Sequence, residues 1–329
     1  MVVRLVRSKK AWSIVFTIFL IALLGSILNP SDISSALYQV GILGISKIFL
    51  LVGITQALRA LRFWELLSIK TKTSYLPIFK ITCVYQFLNH VLPVRSGELS
   101  LPILLKRYSS YPYISSVASL LLTRIHDALA LGTIVASGVG FAVINGRIAS
   151  DWLNLLILVL LAIALLAGSF TLLISRNQQL AQAWQGIATS GRIGRLLFKL
   201  KTLIKNFYQE LLIYRDAALH LKLFSYSILL WLTIFILFWV VLQSLGFSMS
   251  LSEVVLGSSL ANLTQLLPVG TLGNIGTLEA GWVFGFTLLG YDSYRTLTAG
   301  IVMHVIVILI AGIYGVLSWV SLFISSARR

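Results

Sequence analysis

One cysteine, six prolines and ten acidic residues stand in a chain of 329, and each scarcity closes off a class of protein. The lone Cys83 excludes an intramolecular disulfide and any cysteine-built metal cluster, since both need a second thiol. The four histidines and ten carboxylates fall at no spacing that makes a metal site, so neither a metal nor a cofactor is expected. Charged residues supply only 11% of the chain, and no polar stretch is long enough to build a soluble domain. What remains is 58% hydrophobic. Several nearly chargeless runs reach the about 20 residues a helix needs to cross a bilayer. The expected fold class is all-α, a polytopic helical membrane protein.

A net charge of +16 would point to nucleic acid in a soluble protein, but its placement argues for a membrane instead. Most Lys and Arg residues lie in residues 1–10, 59–74, 106–107, 175–222 and 328–329. If these segments are cytoplasmic, the outer loops carry only Arg147 and Arg295, as the positive-inside rule requires. Both termini are then expected in the cytoplasm, in a cell (inner) membrane, with no nucleic-acid partner. Lys47, Lys80, Arg95 and Arg124 are left at membrane depth. The first apolar run follows a basic start but lacks a small-residue cleavage site, so it reads as a retained span.

On this parity six full spans are expected: Trp12 to Leu28, Leu37 to Leu58, Tyr113 to Ile144, Trp152 to Ile174, Leu223 to Leu245 and Thr296 to Phe323. They form a single transmembrane domain with a first half (1–174), a basic segment (175–222) and a second half (223–329). In the basic segment Leu196, Leu200, Leu203, Phe207, Leu211 and Tyr214 recur at helical spacing, with Lys199, Lys201 and Lys205 outside the stripe. Such a helix is expected to lie on the membrane surface and to favour anionic lipid.

Two stretches do not read as spans. Phe79 to Lys106 breaks at Pro93 and Gly97, and Glu253 to Gly290 breaks at the loop PVGTLGNIG with Pro268, Gly270, Gly273 and Gly276. Each has two short apolar halves, which predicts a re-entrant helical hairpin. Broken backbone at membrane depth is tolerated only beside protein or a wet cavity. Each break has an asparagine (Asn89, Asn262) a few residues before Leu-Pro-Val, then glycine, then a glutamate. Entered from opposite faces, the hairpins would form an inverted pair of the kind that holds substrate near the bilayer midplane.

The candidate substrate-binding residues are Arg95 and Glu98 at the first break, Arg124 and Asp127 in the following span, and Glu279 at the second break. A carboxylate in the first turn of a helix is favourable in any protein, so Glu98 and Glu279 read either as caps or as charge-balancing groups of a cavity. Arg124 and Asp127, three residues apart, read either as a neutralising pair or as a guanidinium fork for phosphate oriented by its neighbour. His90 and His126 are expected to be polar neighbours, and His220 and His304 incidental. The GTLGNIG loop lacks both G-x-G-x-x-G and the Lys-Ser/Thr of a P-loop, so its glycines are expected to serve turns and expose backbone N–H groups. Gly281 and Gly285 form a G-x-x-x-G that points to close helix packing.

The run LNHVLPVRSGELSLPILLKR, with LLLTRIHDALAL after it, and the run LLPVGTLGNIGTLEAGW resemble the two signatures of the lysylphosphatidylglycerol synthase transmembrane-region family, the flippase-like integral membrane proteins. The matching positions are Pro93, Arg95, Gly97, Glu98, Arg124 and Asp127, then Pro268, Gly273, Gly276, Glu279 and Ala280. Asn274 departs from the pattern, standing where the family often has a second glycine. The resemblance implies a module that moves lipids between leaflets. In the multiple peptide resistance factor that module is fused to a soluble aminoacyl transferase, a domain not expected here, so aminoacylation is not carried over.

The expected function is therefore a transporter or flippase for an anionic phospholipid or a polyprenyl phosphate lipid. The alternatives are a membrane-embedded glycosyl- or group-transferase acting on a lipid carrier, in which Glu98 or Asp127 would be a base, and a partner of a separately encoded lipid-modifying transferase.

Overall fold

The computed structural model describes residues 29–92, 96–144, 202–203, 205–264 and 276–327. The expected spans Trp12 to Leu28 and Trp152 to Ile174 lie outside them, as do Pro93, Arg95, Pro268, Gly270 and Gly273. Among the described residues the chain is helical and holds no strand. The helices are α1 (Pro30–Ser68), α2 (Tyr75–Val91), α3 (Ser100–Ser109), α4 (Tyr113–Ile144), α5 (Ala217–Ser244), α6 (Leu251–Thr264), α7 (Thr277–Leu288) and α8 (Ser293–Ala327). A 3-10 turn, Ser96–Leu99, precedes α3. Four of the helices, α1, α4, α5 and α8, are long and apolar enough to cross a membrane.

The ends follow local chemistry. Pro30 opens α1, where a missing N–H costs nothing. The Asp216 carboxylate caps α5 by accepting from Ala218 N at 3.1 Å. Helix α1 bends at Gly41, whose φ of 63° and ψ of 173° are not helical. It then runs on past the expected end at Leu58 to Ser68, because nothing from Arg59 to Ser68 breaks a helix. Arg59 and Arg62 consequently sit on a buried helical stretch, and only Lys70 and Lys72 remain in the loop before α2. The basic segment 59–74 is thus half interior, which corrects its reading as a returning loop.

Both broken stretches fold back on themselves. The 3-10 turn packs against α2 so closely that a Cβ on Gly97 would stand 2.4 Å from the Asn89 Cα. Leu101, Leu104 and Leu105 of α3 then share a core with Ile78, Ile81 and Val84 of α2. In the second hairpin α6 and α7 touch backbone to backbone, since a Cβ on Gly285 would lie 1.9 Å from the Gly257 carbonyl oxygen. The Tyr291 hydroxyl donates to Glu253 Oε1 at 3.1 Å, so residue 253 faces 291 while 257 faces 285, and the two helices are antiparallel. The packing expected of Gly281 and Gly285 is realised at Gly285, with α6 as the neighbour.

Helix α8 receives both hairpins. Phe87 of α2 lies against Gly312 and Gly315, and Trp282 of α7 against Gly300. Small residues let helices approach where apolar burial alone gives no drive in lipid. The largest core joins α1, α4, α5, α6, α7 and α8 around Phe235, Val241, Trp282, Phe286 and Val302.

The amphipathic stripe of the basic segment is corrected at its C-terminal end, while Leu203 stays 57% exposed. Leu211 and Tyr214 are buried against Leu66, Ala118, Leu122, Leu219 and Leu223, with Phe207 packed beside them, and Lys70 holds the Glu210 carboxylate at 2.5 Å. A helical apolar stripe announces that one face will be buried and says nothing of what buries it. Here the bundle does. Burial, with the Glu210 carboxylate next to it, pushes the Tyr214 phenol well up from its ordinary value.

Candidate functional site

The first hairpin ends its fold-back beside α4, and this brings Glu98 to Arg124. The Arg124 Nη2 donates to Glu98 Oε1 at 2.8 Å and to the Tyr85 hydroxyl at 3.2 Å. Glu98 therefore lies level with Tyr85 on α2, thirteen positions back in sequence, which only a turned chain permits. The two charged side chains remain partly open, 39% exposed for Arg124 and 25% for Glu98.

One turn along α4, Asp127 makes a different pair from the expected one. Its carboxylate accepts from both terminal nitrogens of Arg62 on α1, and Arg62 Nη1 also donates to Ser227 Oγ on α5 at 2.7 Å. Arg62 is 1% and Asp127 7% exposed. Arg124 and Asp127 do share a helix face, yet each has found its hydrogen-bonded partner elsewhere. Sequence reasoning missed Arg62 because it looked like the basic flank of a span.

Arg59 completes the cluster, one turn before Arg62 on α1. Its Nε and Nη1 donate to the Gln86 amide oxygen, turned toward it, at 2.7 and 2.8 Å. It lies within electrostatic reach of Arg62, Arg124, Asp127 and Tyr85. No carboxylate among the described residues pairs with it. Three guanidinium groups thus meet two carboxylates. Two donors inside the cluster, Arg62 Nε and Arg124 Nε, are buried without an acceptor, and Asn89 Oδ1 nearby in sequence is buried without a donor. A buried polar group left unpaired costs about 1–3 kcal/mol, so the cluster carries unspent hydrogen-bonding capacity.

At the second break Glu279 is sealed, 2% exposed. Its Oε2 accepts from the Gly276 backbone N–H at 2.6 Å, closing the first turn of α7. Gly276 has φ 89°, a value that needs glycine. The other oxygen, Oε1, meets His304 Nδ1 of α8 at 2.6 Å. His304, expected to be incidental, is therefore the partner of a candidate residue. His90 lies within reach of both His304 and Arg59, so the two polar groups are neighbours through α2. Asn262 on α6 is 4% exposed and its Nδ2 lacks a partner, which parallels Asn89 at the first break.

A third polar contact joins His126 and His220. The rings stack with centroids 5.2 Å apart, and His220 Nδ1 stands 3.2 Å from His126 Nε2. His126 Nδ1 lies 2.8 Å from the Leu122 carbonyl. A carbonyl only accepts, so His126 donates its Nδ1–H to Leu122, and in the neutral ring Nε2 is left as the acceptor facing His220. Among the described residues no group of His, Cys, Asp and Glu is arranged to hold a metal.

No curated protein and no solved structure matches the chain. A family model described as the lysylphosphatidylglycerol synthase TM region matches residues 10–315, a span that takes in both hairpins and every residue of the arginine cluster. With its apolar crossing helices, the chain is a membrane protein related to lipid synthesis or flipping, and it belongs to the lysylphosphatidylglycerol synthase TM region family.

Proposed function

We propose that this protein moves an anionic phospholipid or a polyprenyl phosphate lipid between the leaflets of an inner membrane, with the lipid phosphate held at the arginine cluster. One observation carries the reading: among the described residues the three guanidinium groups of Arg59, Arg62 and Arg124 meet two carboxylates, Glu98 and Asp127, and two of their N–H donors are buried without acceptors. An ionised side chain at membrane depth costs about 2.5–3.5 kcal/mol on insertion scales. An uncompensated third guanidinium is retained where an anion neutralises it, and phosphate matches the planar fork.

In this mechanism Arg124 is the gripping residue, since it is the open member of the cluster. Glu98 competes with the phosphate for Arg124, so binding trades one partner for another and leaves the charge count even. Arg62 and Asp127 fix the floor of the site. Arg95, three positions before Glu98 in sequence, adds a cation at the first break. The glycine-bearing breaks, Pro93 and Gly97 in one and Pro268 to Gly276 in the other, let the hairpins rearrange as the lipid crosses. Glu279 keeps the second hairpin's turn anchored to α8. The partners are membrane lipids, and a separately encoded lipid-modifying transferase would supply or consume the cargo.

The test is transport by the purified chain in liposomes, with fluorescent phosphatidylglycerol and a short polyprenyl phosphate as cargo and dithionite or enzymatic accessibility as readout. Arg124→Gln and Arg59→Gln should each lower the rate by about tenfold or more, as expected when a charge-assisted phosphate contact worth more than about 1.4 kcal/mol is lost. Equal rates in wild type, Arg124→Gln and protein-free vesicles would refute the reading. A modified lipid appearing in its place, and vanishing in Glu98→Gln, would assign a group-transfer activity instead.

A further inference from the structure

Away from the arginine cluster, a cleft of about 530 Å³ opens at the base of the first hairpin. Its walls come from the loop before α2, the first turns of α2, the last turn of α3 and the C-terminal turns of α8. Three cations line it, Lys72, Lys80 and Arg107, with the hydroxyls of Thr73, Ser74 and Ser325 among them, and no acidic residue. Arg107 is steadied over the Tyr108 ring, 5.4 Å from its centre.

Two neighbouring cations at this end of the bundle are matched, Lys70 with Glu210 and Lys222 with Glu65, whereas the cleft gathers three that, among the described residues, have no such mate. The helix dipoles are a minor correction here. The start of α2 is favourable to an anion and the ends of α3 and α8 are not, each worth about half a charge, against three full charges.

The cleft is also apolar on one side. Pro77 and the buried Leu322 form a wall, and Leu76, 57% exposed, stands at the outer edge. Beyond it the outer face of α8 presents exposed Phe323 and Ile324. A soluble anion would gain nothing from that face, whereas a lipid would lay its chains along it. The volume falls in the range of small-ligand pockets, about 300–1,000 Å³.

We infer that this cleft binds the phosphomonoester or diphosphate headgroup of a membrane lipid, with Lys72, Lys80 and Arg107 as the cationic contacts. It shares no residue with the arginine cluster, so it is a second headgroup site on the same hairpin, at its base where the cluster is at its tip.

The experiment is a native mass spectrometry titration of the full chain in detergent micelles with dioleoyl phosphatidate, using dioleoyl phosphatidylcholine as the zwitterionic control. Carrying it out in an Arg59→Gln/Arg124→Gln background isolates the cleft, so that a failure here is separate from a failure of the transport site. Lys72→Gln/Lys80→Gln/Arg107→Gln should weaken phosphatidate by at least about tenfold. Lys106→Gln/Lys205→Gln/Arg215→Gln removes the same charge outside the cleft and should change it less than about twofold. Equal losses in the two triples would reduce the effect to diffuse surface charge and overturn the site. Lys80→Arg should retain binding where Lys80→Gln loses it, which separates lost contact from lost fold. Inorganic pyrophosphate should compete weakly. Pyrophosphate binding more tightly than phosphatidate would make this a soluble-anion site and overturn the lipid assignment.

Discussion

Changing Asp127 to Asn removes the negative half of an ion pair that has almost no water around it. The side chains of Arg62 and Asp127 are 2% and 10% exposed, and Arg62 also spends one N–H on Ser227. Breaking a buried pair from one side leaves an uncompensated charge and costs about 3–5 kcal/mol. The Asn oxygen can still accept one bond, so the lower end, about 3 kcal/mol, is expected. A whole domain is stable by about 5–15 kcal/mol, so the loss is large. The pair Arg124–Glu98 offers the contrast. With 39% and 25% exposure, Glu98→Gln should cost no more than about 1 kcal/mol of stability. Replacing both members of the buried pair, Arg62→Met with Asp127→Leu, should return stability to within about 1 kcal/mol of wild type, because burying neither charge also removes the desolvation cost. Reversible unfolding in mixed micelles, followed by far-ultraviolet circular dichroism, measures all four proteins. If Asp127→Asn cost no more than Glu98→Gln, or if the double substitution cost as much as Asp127→Asn, water would be reaching Arg62 and the division into a closed floor and an open gripping pair would be wrong.

Three further outcomes follow from the packing. Gly285→Ala places a Cβ 1.9 Å from the Gly257 carbonyl oxygen, so α6 and α7 must part, at about 1–3 kcal/mol; Gly140→Ala, with nothing within 4 Å, should be neutral or stabilise by up to about 1 kcal/mol, and thermal melts in detergent rank the two. His304→Leu leaves Glu279 Oε1 without its 2.6 Å partner and should destabilise by about 1–3 kcal/mol, read in the same melts. Tyr111→Phe removes a hydroxyl that joins Thr71, Thr73 and the Leu67 carbonyl, and hydrogen exchange should rise in residues 69–74 while the helices keep their protection.

The elements with local signals were legible in the sequence. Helix α4 begins at Tyr113, where its long apolar stretch predicts. The first hairpin's break follows from Pro93 and Gly97, because proline and glycine act on their own backbone whatever surrounds them. What could not be read was who pairs with whom. Arg62 and Asp127 are 65 positions apart and Glu279 and His304 are 25 apart, and no periodicity couples residues across separate helices. Arg59 and Arg62 were misplaced for a related reason: a basic run after an apolar one marks a membrane boundary on average, but it looks the same when a helix continues and packs those charges against an amide, Gln86, and a carboxylate, Asp127. The stripe ending at Tyr214 carried the same ambiguity, since lipid and protein are equally good at covering leucine.

The repeated Asn, Pro, Gly, Glu order of the two breaks suggests equivalent glutamates, yet their surroundings differ in the property that decides function. Glu98 sits on a 3-10 turn, a quarter exposed, opposite a guanidinium that has an unpaired N–H to spare. Glu279 is buried, with both oxygens committed, one to the Gly276 N–H and one to His304 of α8. A ligand can displace the first from its partner at the cost of a half-solvated ion pair, about 1 kcal/mol or less. Displacing the second would strip a buried carboxylate of two short hydrogen bonds, each worth about 1.5–3 kcal/mol when one partner is charged. On the proposed mechanism the same motif serves two tasks, exchange at the first break and anchorage at the second. Substitutions should divide accordingly: Glu98→Gln should change transport in a protein of nearly wild-type stability, whereas Glu279→Gln should lower the melting temperature before any effect on transport can be assigned to it. Finding the reverse division in paired melting and liposome assays would place the exchangeable carboxylate at the second hairpin.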